Sequence, residues 1–371
     1  MTQQKAPGLD FSSLVAEVSA TWGATVGVAV LAALEAGEEV KGNTSPNPPV
    51  GAALFDARGV LAVGATAPAG GAHAEINALT QLAEKGISPE GLSIAVTLEP
   101  CNHTGRTGPC SHALLEAGIA KVFYLTADTN PQAQGGAEFL REHGVEVTFI
   151  GVTVPTLQYW LASIRNHRPS VTVKWAHTLD GYIAAPDGTS QWITGEVARA
   201  FVHHDRAQRD AIIVGTGTVV ADNPRLSARR GYDTAEAAAG TLYEHQPVRV
   251  VIGTRTLGHE FHLGMADGTS IIHASTIEQA LQMLWETGAR DVLVEGGAGL
   301  VSSFFEQGLV DFVQDYQAPA LLGRGKSLST WPYAQSMTEI VRFERIHTQV
   351  LGQDVMSLLA AVNDGRSSYA H

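Results

Sequence analysis

The spacing of apolar and polar positions divides the chain into many short elements. A small-residue helix is expected over 25–37, after a short amphipathic piece over 11–19 within an N-terminal extension, 1–22. Thr44-Ser45-Pro46-Asn47-Pro48-Pro49 then reads as a rigid loop, because its prolines fix φ and remove backbone donors. Residues 50–55 and 60–65 form an expected hairpin about Asp56-Ala57-Arg58-Gly59. Beyond it come a helix over 72–85, a strand over 93–98, a helix over 110–117 and a strand over 121–126. A helix over 136–143 and a strand over 145–150 complete this half. The order is mixed at first and then alternates, the pattern of a layered α/β domain.

The pattern restarts after the basic, proline-punctuated stretch Arg165-Asn166-His167-Arg168-Pro169. Strands are expected over 171–175, 211–214, 248–252, 291–295 and 312–317, with helices between them, notably 195–205 and 276–287. The Ala- and Gly-rich segment 231–246 reads as an insertion loop. The chain therefore divides into an extension (1–22), a first domain (23–166) and a second domain (167–366).

Composition narrows the class. A length of 371 residues suits two domains. Apolar residues make up 44 % and charged residues only 16 %, which favours a large core and excludes a disordered chain. The formal net charge of −13 argues against a general nucleic-acid binder, which would show a basic face. No apolar run reaches the roughly 18–20 residues of a membrane helix. The most apolar stretch, 24–34, ends at Glu35. No secretory signal is evident, and two cysteines do not make a disulfide scaffold, so the cytoplasm is the expected compartment.

Those two cysteines belong to the first chemical signal. His73-Ala74-Glu75 opens an expected helix, Glu99-Pro100-Cys101 ends a strand, and Cys110 opens another helix. One imidazole and two thiolates make a three-ligand zinc site with an open fourth position, the arrangement of catalytic zinc. Glu75 is placed to move protons rather than to bind metal. Each fragment alone is common, but in this order they form the H-x-E…P-C…C pattern of zinc deaminases. Two other readings stay open: a zinc-free redox pair, and structural zinc with a fourth ligand from His103 or His112. The loop between the cysteines, with His103 and Arg106, is either a grip for a phosphorylated substrate or an ordinary exposed loop.

His73-Ala74-Glu75, Thr97-Leu98-Glu99-Pro100-Cys101 and Gly105-Arg106-Thr107-Gly108-Pro109-Cys110 resemble the deaminase half of the bifunctional riboflavin-biosynthesis deaminase/reductase family. Thr44 to Gly51 resembles its substrate loop, which implies that Asn47 contacts the pyrimidine; on spacing alone Asn47 is equally a turn former. The resemblance implies a cytidine-deaminase-like layered domain, Zn2+, and a small phosphoribosyl-pyrimidine substrate. It also implies no nucleic-acid or membrane partner, with homo-oligomerisation left open.

In the second half, Glu295-Gly296-Gly297-Ala298-Gly299 follows a strand and opens a helix. This is either a phosphate-binding helix N-terminus or a plain strand-to-helix turn. Gly215-Thr216-Gly217-Thr218 is a poor dinucleotide fingerprint, lacking the third glycine. The segments 174–181, 190–195, 210–215 and 217–226 and the 295–297 turn resemble the family's reductase half, which is dihydrofolate-reductase-like and uses NADPH. The resemblance implies cofactor contacts from Ala176, Trp192, Thr218, Asp222, Gly297, Ala298, Gly299, Leu300, Val301, Ser302 and Ser303. It implies substrate contacts from Ser190, Arg206, Leu226, Arg229 and Glu295. The chain departs from the family pattern at Thr178, where Ser is usual, at Leu157-Gln158-Tyr159-Trp160, and between Arg229 and Val248. The rival reading is a monofunctional zinc nucleoside or tRNA deaminase with a non-catalytic C-terminal module.

Overall fold

The first half of the chain builds a five-stranded sheet in the order β2-β1-β3-β4-β5. In this computed structural model, residues 8–103, 108–131, 133–230, 242–264, 271–328, 336–338 and 340–362 are described. Strands β1 (Gly51–Asp56) and β2 (Gly59–Ala65) form the expected hairpin, and β3 (Ser93–Leu98) pairs antiparallel with β1. Strands β4 (Lys121–Thr126) and β5 (Glu146–Phe149) continue the sheet in parallel.

Two glycines explain how helices reach both faces. A Cβ on Gly51 would lie 1.9 Å from the Ala33 carbonyl of α2 (Ala24–Val40), and one on Gly64 would lie 2.2 Å from the Ala74 carbonyl of α3 (Ala74–Glu84). Gly64 pairs with Ala52, the neighbour of Gly51, so the two glycines point to opposite faces of the hairpin. Helices α2 and α3 therefore cover opposite sides, giving three layers. The segment read as an extension carries helix α1 (Ser12–Trp22), and its Val18, with Phe11, lies in the same core as Leu34, Leu54 and Leu98. Residues 9–22 are thus part of this unit, which runs from Leu9 to His167. Helices α4 (Cys110–Glu116), α5 (Gly136–Glu142) and α6 (Pro155–Asn166) complete it.

The second unit starts at Arg168. Its eight-stranded sheet has the order β10-β9-β8-β11-β6-β12-β15-β14. Strands β6 (Ser170–Thr178), β8 (Ala211–Gly215), β9 (Val248–Ile252), β10 (Ile271–Ala274), β11 (Asp291–Val294) and β12 (Phe312–Ala318) run parallel. The hairpin β14 (Phe343–Leu351) and β15 (Asp354–Ala361) adds two antiparallel strands at one edge. Ile213 packs into one core with Val171 and Phe304, while its neighbours Ile212 and Val214 pack into another with Leu293. The sheet is buried on both faces, as a parallel sheet requires. Helices α7 (Glu196–Arg206), α8 (Thr216–Asp222), α9 (Ile277–Glu286) and α10 (Ala298–Glu306) connect its strands. A short pair, β7 (Tyr182–Ala184) with β13 (Lys326–Ser327), stands beside it. Of the expected insertion, 231–241 lies outside the described residues, and Leu242 forms a bridge with Arg229.

Candidate active sites

The residues expected to hold zinc sit where three elements begin or end. His73 is the N-cap of α3, Cys101 follows β3, and Cys110 opens α4. The Cys110 amide donates to the Cys101 sulfur at 3.4 Å, and Ser111 N donates to the Cys101 carbonyl. His73 Nδ1 lies 3.5 Å from Cys101 Sγ and 3.3 Å from Cys110 Sγ. Zinc with bonds of about 2.3 Å to sulfur and 2.05 Å to nitrogen in a tetrahedron needs N···S edges of about 3.6 Å. The donor set and its spacing therefore fit zinc. Among the described residues no fourth His, Cys, Asp or Glu joins the group. His112 instead stacks on Phe139, with centroids 4.2 Å apart, and His103 lines the adjoining cavity. The four-ligand structural reading is not supported by this arrangement.

The pKa of Cys101 is held down to about 4 chiefly by its bond from Cys110, and that bond with burial pushes the Cys110 thiol up. A divalent cation would take both as thiolates. Glu75, on the first turn of α3, is 4 % exposed, and burial raises its pKa to about 7.

His73, Glu75 and Cys101 line a cavity of about 190 Å³. Its wall includes Asn47 of the proline loop, Asp128 and Asn130 beyond β4, and Trp160 and Ile164 of α6. Asp128 is pushed up to about 6, first by burial, then by its carboxylate neighbour Glu99 against the hydrogen bond from Asn130. The buried Nδ1 of His103 has no partner among the described residues. Glu99 accepts from the amides of Gly135 and Ala137 at 3.1 and 3.2 Å, which caps α5 and draws its N-terminus to the cysteines. Arg106 lies outside the described residues. Asp128, Asn130, Trp160 and Ile164 were not anticipated from the sequence. The signal for Asp128-Thr129-Asn130-Pro131 was its place after a parallel strand beside the one that carries Cys101, where α/β sheets bind ligands.

In the second unit the residues assigned by resemblance divide into two groups. Glu295 follows β11, and Arg206 on α7 meets it with a two-bond fork of 2.6 and 2.9 Å. Lys174 of β6, which the sequence reading left without a role, stands 3.6 Å from the same carboxylate. Burial alone would raise the Glu295 pKa, but the charges of Arg206 and Lys174 outweigh it and hold the group well below the usual carboxylate range. Arg229 Nη2 lies 3.3 Å from His203 Nε2, and Arg206 Nη1 donates to the Ser227 carbonyl. This gathers cations from α7, β6 and the loop after α8.

The second group lies at the ends of the neighbouring parallel strands β8 and β11. Helices α8 and α10 open there, capped by Gly215 and Gly297 with no side-chain cap bond. Thr218 Oγ1 accepts from the Gly297 amide at 3.1 Å and ties the two turns together. Gly297 and Gly299 are exposed, while Val301 is in the core and Ser302 is buried, so the turn presents backbone there rather than those side chains. Leu226 is also in the core, at φ +53°. Asp222 and Ser190 are exposed, and Ala176 is half-buried on β6. Trp192 is 58 % exposed, with the Arg199 guanidinium 4.6 Å over its ring. Thr178 uses its hydroxyl within the turn: it donates to Asp180 and accepts from the Tyr182 amide.

Fold and site together define a protein that pairs a zinc deaminase unit with a reductase unit. Residues 28–126 match the cytidine and deoxycytidylate deaminase zinc-binding region, and residues 169–357 match the RibD C-terminal domain. The riboflavin biosynthesis protein RibD of Corynebacterium ammoniagenes is 51 % identical over 319 residues, covering 83 % of this chain and 90 % of that one. RibD of Mycobacterium tuberculosis (strain H37Rv) is 39 % identical over 335 residues, covering 89 % and 95 %. Among solved structures, a diaminohydroxyphosphoribosylaminopyrimidine deaminase/5-amino-6-(5-phosphoribosylamino)uracil reductase of Thermotoga maritima superposes with a TM-score of 0.73 at 30 % identity, covering 89 % and 97 %. RibD of Acinetobacter baumannii superposes at 0.72 with 31 % identity, covering 90 % and 98 %. The chain belongs to the RibD family of riboflavin biosynthesis proteins. It is a bifunctional enzyme, deaminase and reductase, with zinc and NADPH as cofactors. The match over 169–357 disfavours a monofunctional deaminase with an inert module. Among the described residues no helix is long and apolar enough to cross a membrane.

Proposed function

We propose that the first unit, Leu9–His167, deaminates a diaminohydroxyphosphoribosylaminopyrimidine and the second, from Arg168 onward, reduces the phosphoribosylaminouracil so formed, both in the cytoplasm. The observation that carries this is the convergence of His73, Cys101 and Cys110, with Glu75 buried beside them and one cavity lined by His73, Cys101 and Glu75.

His73, Cys101 and Cys110 would hold zinc, which when bound supplies the Lewis acid that makes water nucleophilic near neutral pH. The chain moves the protons. Glu75 takes one proton from the attacking water and delivers it to the departing amine, and the second water proton ends on the ring nitrogen, so ammonia leaves and a carbonyl remains. Asn47 and His103 present polar groups to the pyrimidine, and Asp128 and Asn130 close the cavity beside them. In the second domain the exposed first-turn amides of α8 and α10, with Thr218, Asp222, Ala176 and Trp192, would hold NADPH, which when bound supplies the hydride for the ribosyl carbon. Lys174, Arg206 and Arg229 take the substrate phosphate, with Glu295 fixing the Arg206 fork. Ser190 completes the substrate side. Positioning carries much of this reaction, since no other titratable side chain of that cluster is set apart as an acid or base.

The test is an ordered assay on zinc-loaded protein: ammonia release from the diamino substrate, then NADPH oxidation in the same sample. Glu75→Gln is expected to lower deamination by about 10²–10⁴-fold and to leave reduction of supplied deaminated substrate intact. Loss of both activities together would refute the division of labour.

A further inference from the structure

Helix α6 starts with Pro155 as its first residue, where a missing N–H costs nothing, and ends at His167 in the left-handed region, φ 51°. Trp160 and Ile164, one turn apart, share a face that lines the deaminase cavity. Trp160 is 6 % exposed, and its indole Nε1 donates to the Pro46 carbonyl at 2.9 Å, a bond spanning 114 residues of chain.

That bond acts on Asn47. The Pro46 carbonyl and the Asn47 amide belong to one rigid peptide plane. Trp160 holds its oxygen, and the Thr44 carbonyl accepts from its N–H at 2.9 Å. Thr44 Oγ1 donates to the Asn47 carbonyl at 3.0 Å, which fixes the following plane. Both planes that flank Asn47 are therefore held. Two of the bonds are local to the turn, and Trp160 supplies the one that comes from across the cavity. Beside it Lys41 Nζ sits 4.2 Å over the Tyr159 ring, a second contact between α6 and the residues that lead into the loop.

We infer that Trp160 is a positioning residue for deamination: its indole N–H sets the Pro46–Asn47 peptide so that Asn47 meets the pyrimidine in a fixed orientation. This rests on the proposed contact between Asn47 and the substrate. Trp160→Phe keeps an aromatic wall and removes the donor, so the carbonyl of the exposed Pro46 loses its bond from α6 and the peptide is freed to turn. The expected result is a KM for deamination raised roughly 2- to 10-fold, with kcat changed far less.

The same chain supplies the control, because reduction of supplied deaminated substrate and zinc content report whether the protein is intact. In an Asn47→Ala background, Trp160→Phe is expected to add little, since it acts through the residue already removed. An equal loss in both backgrounds would overturn the inference. So would an unchanged KM in Trp160→Phe, or loss of zinc and reductase activity along with deamination, which would mark a structural role. If Asn47→Ala alone leaves deamination unchanged, the contact assigned to Asn47 fails and the inference with it. If Asn47→Ala is impaired and Trp160→Phe is not, the inference alone fails.

Discussion

Two adjacent glycines before and at the start of α5 should fail differently when replaced. Gly136 approaches the zinc site closely: a Cβ there would lie 1.8 Å from the Pro100 carbonyl and 3.4 Å from Ser111 Cβ. Pro100 precedes Cys101 and Ser111 follows Cys110, so the missing methyl faces both cysteine ligands at once. An ordinary C···O contact is about 3.3 Å, so Gly136→Ala needs a displacement of about 1.5 Å. Zinc distances tolerate only about 0.2 Å. Gly135, by contrast, has φ +99° and open space where its Cβ would go. Gly135→Ala therefore costs about 1–2 kcal/mol of backbone strain and leaves the cysteines in place. Gly136→Ala costs about 1–3 kcal/mol of overpacking and moves them. The expected outcome is weakened zinc and lost deamination in Gly136→Ala, with reductase activity retained, and normal zinc content in Gly135→Ala at a lower unfolding temperature. Metal analysis after dialysis, with both activities on one preparation, decides it. Wild-type zinc affinity in Gly136→Ala would refute the close-packing argument.

Chelation should abolish deamination and lower the unfolding temperature of the N-terminal unit while NADPH oxidation persists, as calorimetry and the two assays would record. Replacing Arg209 with Met should destabilise the C-terminal unit by about 3–5 kcal/mol in denaturant titration, because this fully buried guanidinium is the shared cation of Asp205 and Asp291 and its loss leaves their buried charges uncompensated by it. The depressed pKa of Glu295 contributes stability that is present above its unfolded value of about 4.3 and lost as pH falls below that towards the folded value. Glu295→Gln should flatten the acid limb of a stability-versus-pH curve, and an unchanged limb would count against the ion cluster.

The strands at 93–98, 121–126 and 248–252 were legible to the residue, since short apolar runs between turn residues admit few other readings. Helix α6 is absent from the elements expected from the sequence, although Leu157, Trp160, Leu161 and Ile164 form a helical stripe. Helix α8 was hidden by its glycines, which drew attention as an incomplete dinucleotide fingerprint. The hairpin β14–β15 was missed although Met356 and Leu358 alternate with partly exposed neighbours and Gly352 takes φ +70° in the two-residue turn. The cluster of His73, Cys101 and Cys110 was readable because each residue carries a local signature at an element boundary. Asp128 and Trp160 carry none. They reach the cavity only through the order of β3 and β4 in the sheet and the packing of α6, neither of which is written in local spacing.

The two sites handle buried charge in opposite ways, and this separates their dependence on ligands. The first collects sulfurs and a carboxylate with no Lys or Arg lining the cavity among the described residues, so the Cys110 thiol, pushed up beside Cys101, gives up its proton only to a bound cation. Part of that unit's stability is thereby linked to metal concentration. The second closes its own circuit: Glu295 meets Arg206 and Lys174 within the unit, and one positive charge is left over for a phosphate. Its arrangement needs no external ion to be electrostatically satisfied. A single chain can therefore lose its first activity to chelation or to a misplaced cysteine while the second persists. The same asymmetry makes reductase activity a valid internal standard for every substitution in the deaminase unit.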